Sequence, residues 1–325
     1  MSSIHNSTTD EDAEIMPLKA SVGFTKINTH KEEIIIKNQN LFMLHFMHSF
    51  LHIGQSVDFF SQMFILFYNE VKMFVDVHAH LIDEKFENPR KVVETANFFG
   101  VSKIIVASSN FITSKKSQRF AQENENVFVA VGVHPEDCEE YDKVAADIEK
   151  IAKAEKVVAI GEIGLDYHYE GIDKEKQKDA FEKQILLAHK LNLPIVIHSR
   201  DAMDDTLRIL KKHKDKLGKG GIFHCYSGSV EEAKEILKLG FSFSFGGVCT
   251  FKNARKVVEV LEFLPIEKIM LETDCPYLAP EPYRGQVNEP KNIPYIAEKI
   301  ASIKGLSLEE VGKITTENAE RMFKI

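Results

Sequence analysis

From Phe74 to the C-terminus, eight short apolar runs alternate with longer amphipathic stretches, and this alternation restricts the chain to folds in which parallel strands are joined by crossover helices. The runs are FVDVH (74–78), KIIVA (103–107), VFVAVGV (127–133), VVAIGE (157–162), PIVIH (194–198), GIFHC (221–225), FSFSF (241–245) and KIMLE (268–272). Eight such units in about 250 residues predict a TIM-type (β/α)8 barrel over residues 73–325, preceded by an N-terminal extension and without a second domain. Between the runs, KEKQKDAFEKQILLAHKLN predicts a helix with Phe181, Ile185, Leu186 and His189 on one face, and SVEEAKEILKLG closes on a capping Gly240. A hydrophobic content of 44% is enough for the core of one barrel of this size.

In a barrel of this kind the chemistry gathers at the C-terminal ends of the strands. The runs end in His78 and His80, His134, Glu162 and Asp166, His198 and Arg200, His224, and Glu272 and Asp274. Five of the eight histidines after Met73 are among them, too strong a clustering for surface or core fillers. His78 and His80 are two apart at a strand end, so both side chains point to one face and form a chelating pair. Asp76, in the same strand, is placed to orient a ligating histidine. Glu162 emerges directly from a buried run, and its two oxygens can bridge two cations; Gly161 and Gly164 beside it permit bends and close approach by a ligand. His198 and His224 each follow apolar residues. Either alone reads as an ordinary buried imidazole, but together with the pair and Glu162 they face one cavity. Asp274 completes six ligands, sufficient for two divalent ions (Mg, Mn or Zn), and is suited to take a proton from an activated water. Arg200, Arg284 and His134 are the groups that can hold a phosphate, and Tyr226 and Tyr277 can stack on a base. Asp274 and Glu162 are thus the expected catalytic residues.

The segments DVHAHL, GVHPE, IGEIGLDY, IHSRDA, FHCYSG, GGVCTFKNA, LETDCPYLAP and PYRGQVNEP appear in this order. From Met73 onward the chain resembles the TatD-type metal-dependent hydrolases, deoxyribonuclease relatives within the amidohydrolase superfamily. The resemblance implies one metal on His78, His80 and Asp274, a second on His198 and His224, and Glu162 bridging them. It also implies a 3′ to 5′ exonuclease acting on DNA or RNA ends. Two other readings stay open: an ester or amide hydrolase of the same superfamily, such as an aminoacyl-tRNA deacylase, which would favour a loop-lined apolar pocket, and a non-catalytic metal-binding scaffold, which would not need Asp274.

Charge limits the mode of substrate binding. With 41 basic and 49 acidic residues, a net charge of −8 and no Lys- or Arg-rich block, the chain lacks a strip for gripping a duplex; an enzyme that takes in one strand end needs few phosphate contacts. Cys138, Cys225, Cys249 and Cys275 form no C-x-x-C pair, which points to a reducing, cytoplasmic location. Residues 1–72 read differently. Positions 2–40 are polar, aperiodic and without the basic start of a secretory signal. Residues 41–68 are rich in Phe, Met and Leu but are interrupted by His45, His48, His52, Gln55, Asp58 and Gln62, too often for a membrane span. They predict a helix packed on the barrel or on a partner protein, with a metal-binding use of the three histidines as the lesser alternative. Met73 directly precedes the first run, so the extension reads as dispensable or as an upstream misassignment of the start codon.

Overall fold

The computed structural model describes residues 74–325. Eight parallel strands follow one another in sequence order around a nearly closed barrel: β1 (Phe74–Ala79), β2 (Val101–Ala107), β3 (Val127–Val131), β4 (Val157–Asp166), β5 (Ile195–Arg200), β6 (Gly221–Phe223), β7 (Ser242–Phe245) and β8 (Ile269–Leu271). The helices are α1 (Pro89–Phe98), α2 (Phe111–Gln122), α3 (Tyr141–Ala152), α4 (Lys174–Leu191), α5 (Met203–Lys212), α6 (Val230–Lys238), α7 (Arg255–Phe263), α8 (Ile293–Lys304) and α9 (Leu308–Phe323). Their starts are written in the sequence. Asn110 with Thr113, Ser229 with Glu232 and Ser307 with Glu310 form capping boxes at α2, α6 and α9, satisfying backbone N–H groups that the helix leaves unpaired. The expected extension at 1–72 and its helix at 41–68 lie outside the described residues. No helix among the described residues is long and apolar enough to cross a membrane.

The buried residues form two clusters. One joins the strands to the surrounding helices; the other draws on Val75, Val77, Ile105, Val196, Ile222 and Met270, with Ala319 and Phe323 of α9. Asn318 Nδ2 donates to the carbonyls of Ile266 and Ile269 at the start of β8, and Lys103 at the start of β2 pairs with Glu320. The C-terminal helix therefore stoppers the N-terminal mouth, leaving the opposite mouth for chemistry.

Two strand irregularities aim side chains into that mouth. Val75 and Val77 belong to the inner cluster, and strict alternation would send His78 outward. Between Asp76 and Ala79, however, β1 gains one residue relative to β2, and Ala79 falls in the outer cluster. This bulge shifts the phase, so His78 and His80 turn inward. In β4 the register likewise slips between Ile160 and Ile163, both in the outer cluster, which puts Glu162 inside. Gly161 and Gly164 serve this geometry rather than ligand access. A Cβ at Gly161 would lie 2.6 Å from Val196 Cβ; one at Gly164, where φ is +144°, would lie 2.0 Å from His198 O. The close neighbour is β5.

α4 departs from expectation in which face it buries. Phe181, Ile185 and Ala188 are inside with Gln177 and Gln184, while Leu186 and His189 are exposed. The two glutamines bind backbone: Gln184 bonds both Val133 N and O, and Gln177 bonds Asp166 N and O. Edge carbonyl and amide groups at the ends of β3 and β4 need polar partners, so the packed face carries amides where an apolar count places Leu186.

Candidate metal centre

The barrel seam closes at the functional mouth. Asp274 N donates to His78 O at 2.9 Å and His80 N to Cys275 O at 2.8 Å. Asp274 has a left-handed backbone, φ 54°, which turns the chain at this point. Below it Asp76, fully buried, accepts from His78 N (3.2 Å), Thr273 N (3.0 Å) and Thr273 Oγ1 (2.5 Å). Burial raises the Asp76 pKa to about 8. Its carboxylate thus fastens the backbone of β1 to the segment after β8; contrary to expectation, it does not hold a histidine ring.

All six residues expected as ligands converge. His78 Nε2 lies 3.2 Å from His80 Nε2, 3.3 Å from Glu162 Oε2 and 3.7 Å from Asp274 Oδ1, and His80 Nε2 lies 3.3 Å from Asp274 Oδ1. On the other side, His198 Nδ1 and His224 Nε2 are each 2.7 Å from Glu162 Oε1 and 3.1 Å from one another. The rings of His78 and His224 stack with centroids 4.0 Å apart. The two oxygens of Glu162 therefore face two different groups of nitrogens.

Electrostatics agrees with this picture. Burial pushes the Glu162 carboxyl up, yet the imidazoles of His224, His78 and His134 override it and hold the group well below the usual carboxylate range. Burial lowers His224, but Glu162 and Glu272 lift it well above an ordinary imidazole. For His78, burial and the neighbouring His224 push the pKa down. Among the described residues neither Glu162 nor Asp274 pairs with a Lys or Arg; imidazoles are their only ion-pair partners. Ring nitrogens facing each other and buried carboxylates without a fixed cation are a donor set that a divalent ion fits. Three groups can each hold one: His78, His80 and Asp274; His78, Glu162 and His224; His134, Glu162 and His198.

Tautomers separate His134 from the rest. Its Nδ1 accepts from Glu136 N at 3.2 Å, which leaves the proton on Nε2, 3.5 Å from Glu162 Oε1. In this tautomer Nε2 donates, so the group of His134, Glu162 and His198 would hold an ion only with the Glu136 bond broken. His198 is the reverse case. Asp166 Oδ2 lies 2.9 Å from its Nε2 and fixes the ring from behind, while Nδ1 points at Glu162 Oε1 (2.7 Å) and His224 and would be the nitrogen offered to an ion. The sequence puts Asp166 and Glu272 at strand ends but assigns them no task. Glu272, fully buried, accepts from Cys225 N at 2.7 Å and from Ser244 Oγ, and its Oε1 is 3.8 Å from His224 Nδ1. What would mark both residues in advance is an acidic residue ending an apolar run.

The expected substrate residues do not all reach the site. Tyr226, expected to stack on a base, is 4% exposed; its ring packs on Phe223, Phe243 and Phe245 and its hydroxyl donates to Ser229 O at 2.8 Å. It is a core residue with no face for a ligand. Arg200 and Arg284 are exposed, with Arg200 Cζ 5.4 Å from the Tyr169 ring centroid and Arg284 Cζ 4.3 Å from that of Phe251.

A family model described as TatD related DNase matches residues 75–324. The chain belongs to this family. It is similar to the uncharacterized metal-dependent hydrolase YabD of Bacillus subtilis, 44% identical over 255 residues, which cover 78% of this chain and 100% of that protein. The 3′-5′ ssDNA/RNA exonuclease TatD of Pantoea vagans is 32% identical over 258 residues, 77% of this chain and 99% of its own length. Among solved structures, the TatD homologue YJJV of Escherichia coli superposes with a TM-score of 0.74 at 28% identity, covering 78% of this chain and 99% of that one. The TatD-family chain is accordingly a metal-dependent hydrolase on a TIM-like barrel.

Proposed function

We propose that this TatD-family chain is a two-metal phosphodiesterase that releases nucleotides from the 3′ ends of single-stranded DNA or RNA. The observation that carries the proposal is the division of the Glu162 carboxylate between two sets of imidazoles, with Asp274 closing one of them. In this reading His78, His80, Asp274 and Glu162 would hold one ion, and His198, His224 and Glu162 the other. Bound divalent ions would supply Lewis acidity toward a phosphoryl oxygen and lower the pKa of water.

The rest falls to the side chains. Asp274, more exposed than Glu162, takes the proton of the attacking water on its carboxylate. His134 donates its Nε2–H to a phosphoryl oxygen, a role for which its tautomer is set by Glu136 N. Asp166 holds the His198 ring with its Nδ1 turned toward Glu162. Arg200, at the end of β5, and Arg284 are exposed and free to contact the phosphates of the bound strand. The name of the Pantoea relative supports the choice of polymer and direction. The test is a panel of single-stranded DNA, single-stranded RNA and aminoacyl-tRNA with Mg, Mn and Zn. Release of mononucleotides from the 3′ end is expected; release of the amino acid with intact oligonucleotides would assign the centre to ester hydrolysis instead.

A further inference from the structure

Tyr277 is an exposed aromatic ring that is nevertheless held still. It is 45% exposed, yet its hydroxyl donates to Asp83 Oδ2 at 2.9 Å, its ring lies under Lys85 Nζ at 4.3 Å, and its edge meets His80 with centroids 6.4 Å apart. Its backbone is pinned as well: Tyr277 N donates to Asp274 O at 3.0 Å, and Tyr277 O accepts from the buried Asn288 Nδ2 at 2.8 Å. Asp83 performs both halves of a bracket, since its Oδ1 accepts from Lys85 N at 2.8 Å while Oδ2 holds the tyrosine. Loops after β1 and β8 are thereby joined over the edge of the metal centre.

A core ring needs no such bracket, and a surface ring without a ligand gains little from one. Fixing a large exposed aromatic lowers the ordering cost that a partner would otherwise meet on binding. The ring adjoins His80, one of the residues proposed above to hold a metal. The group in reach of such a ring, when a phosphodiester sits at that centre, is the base of the nucleotide being released or of its neighbour. We propose that Tyr277 is the stacking platform for the nucleobase at the strand end, with Asp83 as the residue that positions it and Lys85 as the cation that yields the ring face to the base and moves to an adjoining phosphate. This rests on the nuclease reading above and extends it: recognition is of a base face, tolerant of sequence, because every base has one. Tyr226, the other tyrosine that the sequence offers for stacking, is excluded by its burial.

The experiment compares two oligonucleotides that differ only at the 3′ residue, one carrying a base and one abasic, with the full chain and saturating divalent metal. For Tyr277→Ala, affinity for the oligonucleotide with the base falls roughly 5- to 150-fold, the worth of one base–aromatic stack, while affinity for the abasic one is unchanged. Tyr277→Phe keeps the ring but not the Asp83 bond, so its loss on the base-bearing oligonucleotide is smaller than that of Tyr277→Ala and matches that of Asp83→Ala. Asp83→Ala raises KM for the base-bearing oligonucleotide more than it lowers kcat, which a loss of folding would not do. Equal loss on both oligonucleotides, or none on either, overturns the platform and leaves the nuclease reading standing. Wild-type protein that neither binds nor cuts either oligonucleotide overturns the nuclease reading, and the platform falls with it.

Discussion

At the scale of single residues, the site is organised by which nitrogen of each imidazole carries a proton. Asp166 and Glu136 N fix His198 and His134 from opposite ring atoms, Asp166 behind Nε2 of the one and Glu136 N on Nδ1 of the other, so that Nδ1 of His198 and Nε2 of His134 point into the site. Two substitutions test this directly. Asp166→Ala is expected to weaken metal affinity roughly 10- to 100-fold, the usual effect of removing a carboxylate behind a ligating histidine. His134→Gln is expected to leave metal content unchanged and lower turnover only. Calorimetric metal titration checks both, and loss of an ion from His134→Gln would make that residue a ligand. The six converging residues were legible in sequence because each ends an apolar run, and a polar group leaving a buried strand has few structural uses. Tyr226 misleads for the same reason. It follows a strand end too, but its ring turns back among Phe223, Phe243 and Phe245, and sequence position does not encode that direction.

At the scale of elements, all eight apolar runs contain strands, whereas the phase within a strand was hidden. VVAI is apolar on both faces and carries no period of two, while FVDVH alternates from Val75 to His78 and so places His78 on the face opposite Val77; neither run reveals the inserted residue. The bulges at Asp76–Ala79 and Ile160–Ile163 are visible only through their partners in β2 and β5. The ladders of β6 and β8 are also three residues each, shorter than GIFHC and KIMLE suggest, and His224 and Asp274 stand just past them. Close approach of β4 and β5 yields a prediction. Gly164→Ala places a Cβ 2.0 Å from His198 O at φ +144°, and Gly161→Ala one 2.6 Å from Val196 Cβ. Gly164→Ala is expected to destabilise by about 3 kcal/mol through overpacking and backbone strain, and Gly161→Ala by about 2 kcal/mol through overpacking alone. Gly240→Ala, where φ is +89° and no atom lies within 4 Å, should cost only about 1 kcal/mol. Urea unfolding midpoints rank the three, and a Gly164→Ala midpoint equal to that of the wild type would remove the packing argument.

At the scale of the whole molecule, the barrel has a stoppered end and a working end. α9 fills the N-terminal mouth, while the seam between β1 and the segment after β8 is closed by the bonds that also set His78, His80 and Asp274. Folding the barrel shut and assembling one half of the metal centre are therefore the same event. All of this lies beyond Met73, so a chain beginning at Met73 is expected to fold with an unchanged thermal midpoint and to keep full activity. Insoluble protein, or activity lost with the fold intact, would give residues 1–72 a part in the enzyme. The central claim is that Asp274 does chemistry at a centre bridged by Glu162. It is tested by kcat for terminal nucleotide release, followed across a metal titration in Asp274→Asn and Glu162→Gln. Excess metal is expected to restore Glu162→Gln in part, because losing the bridging charge would loosen the ions, while Asp274→Asn stays about 10²- to 10⁴-fold impaired at every metal concentration. Near wild-type turnover of Asp274→Asn at saturating metal would contradict it.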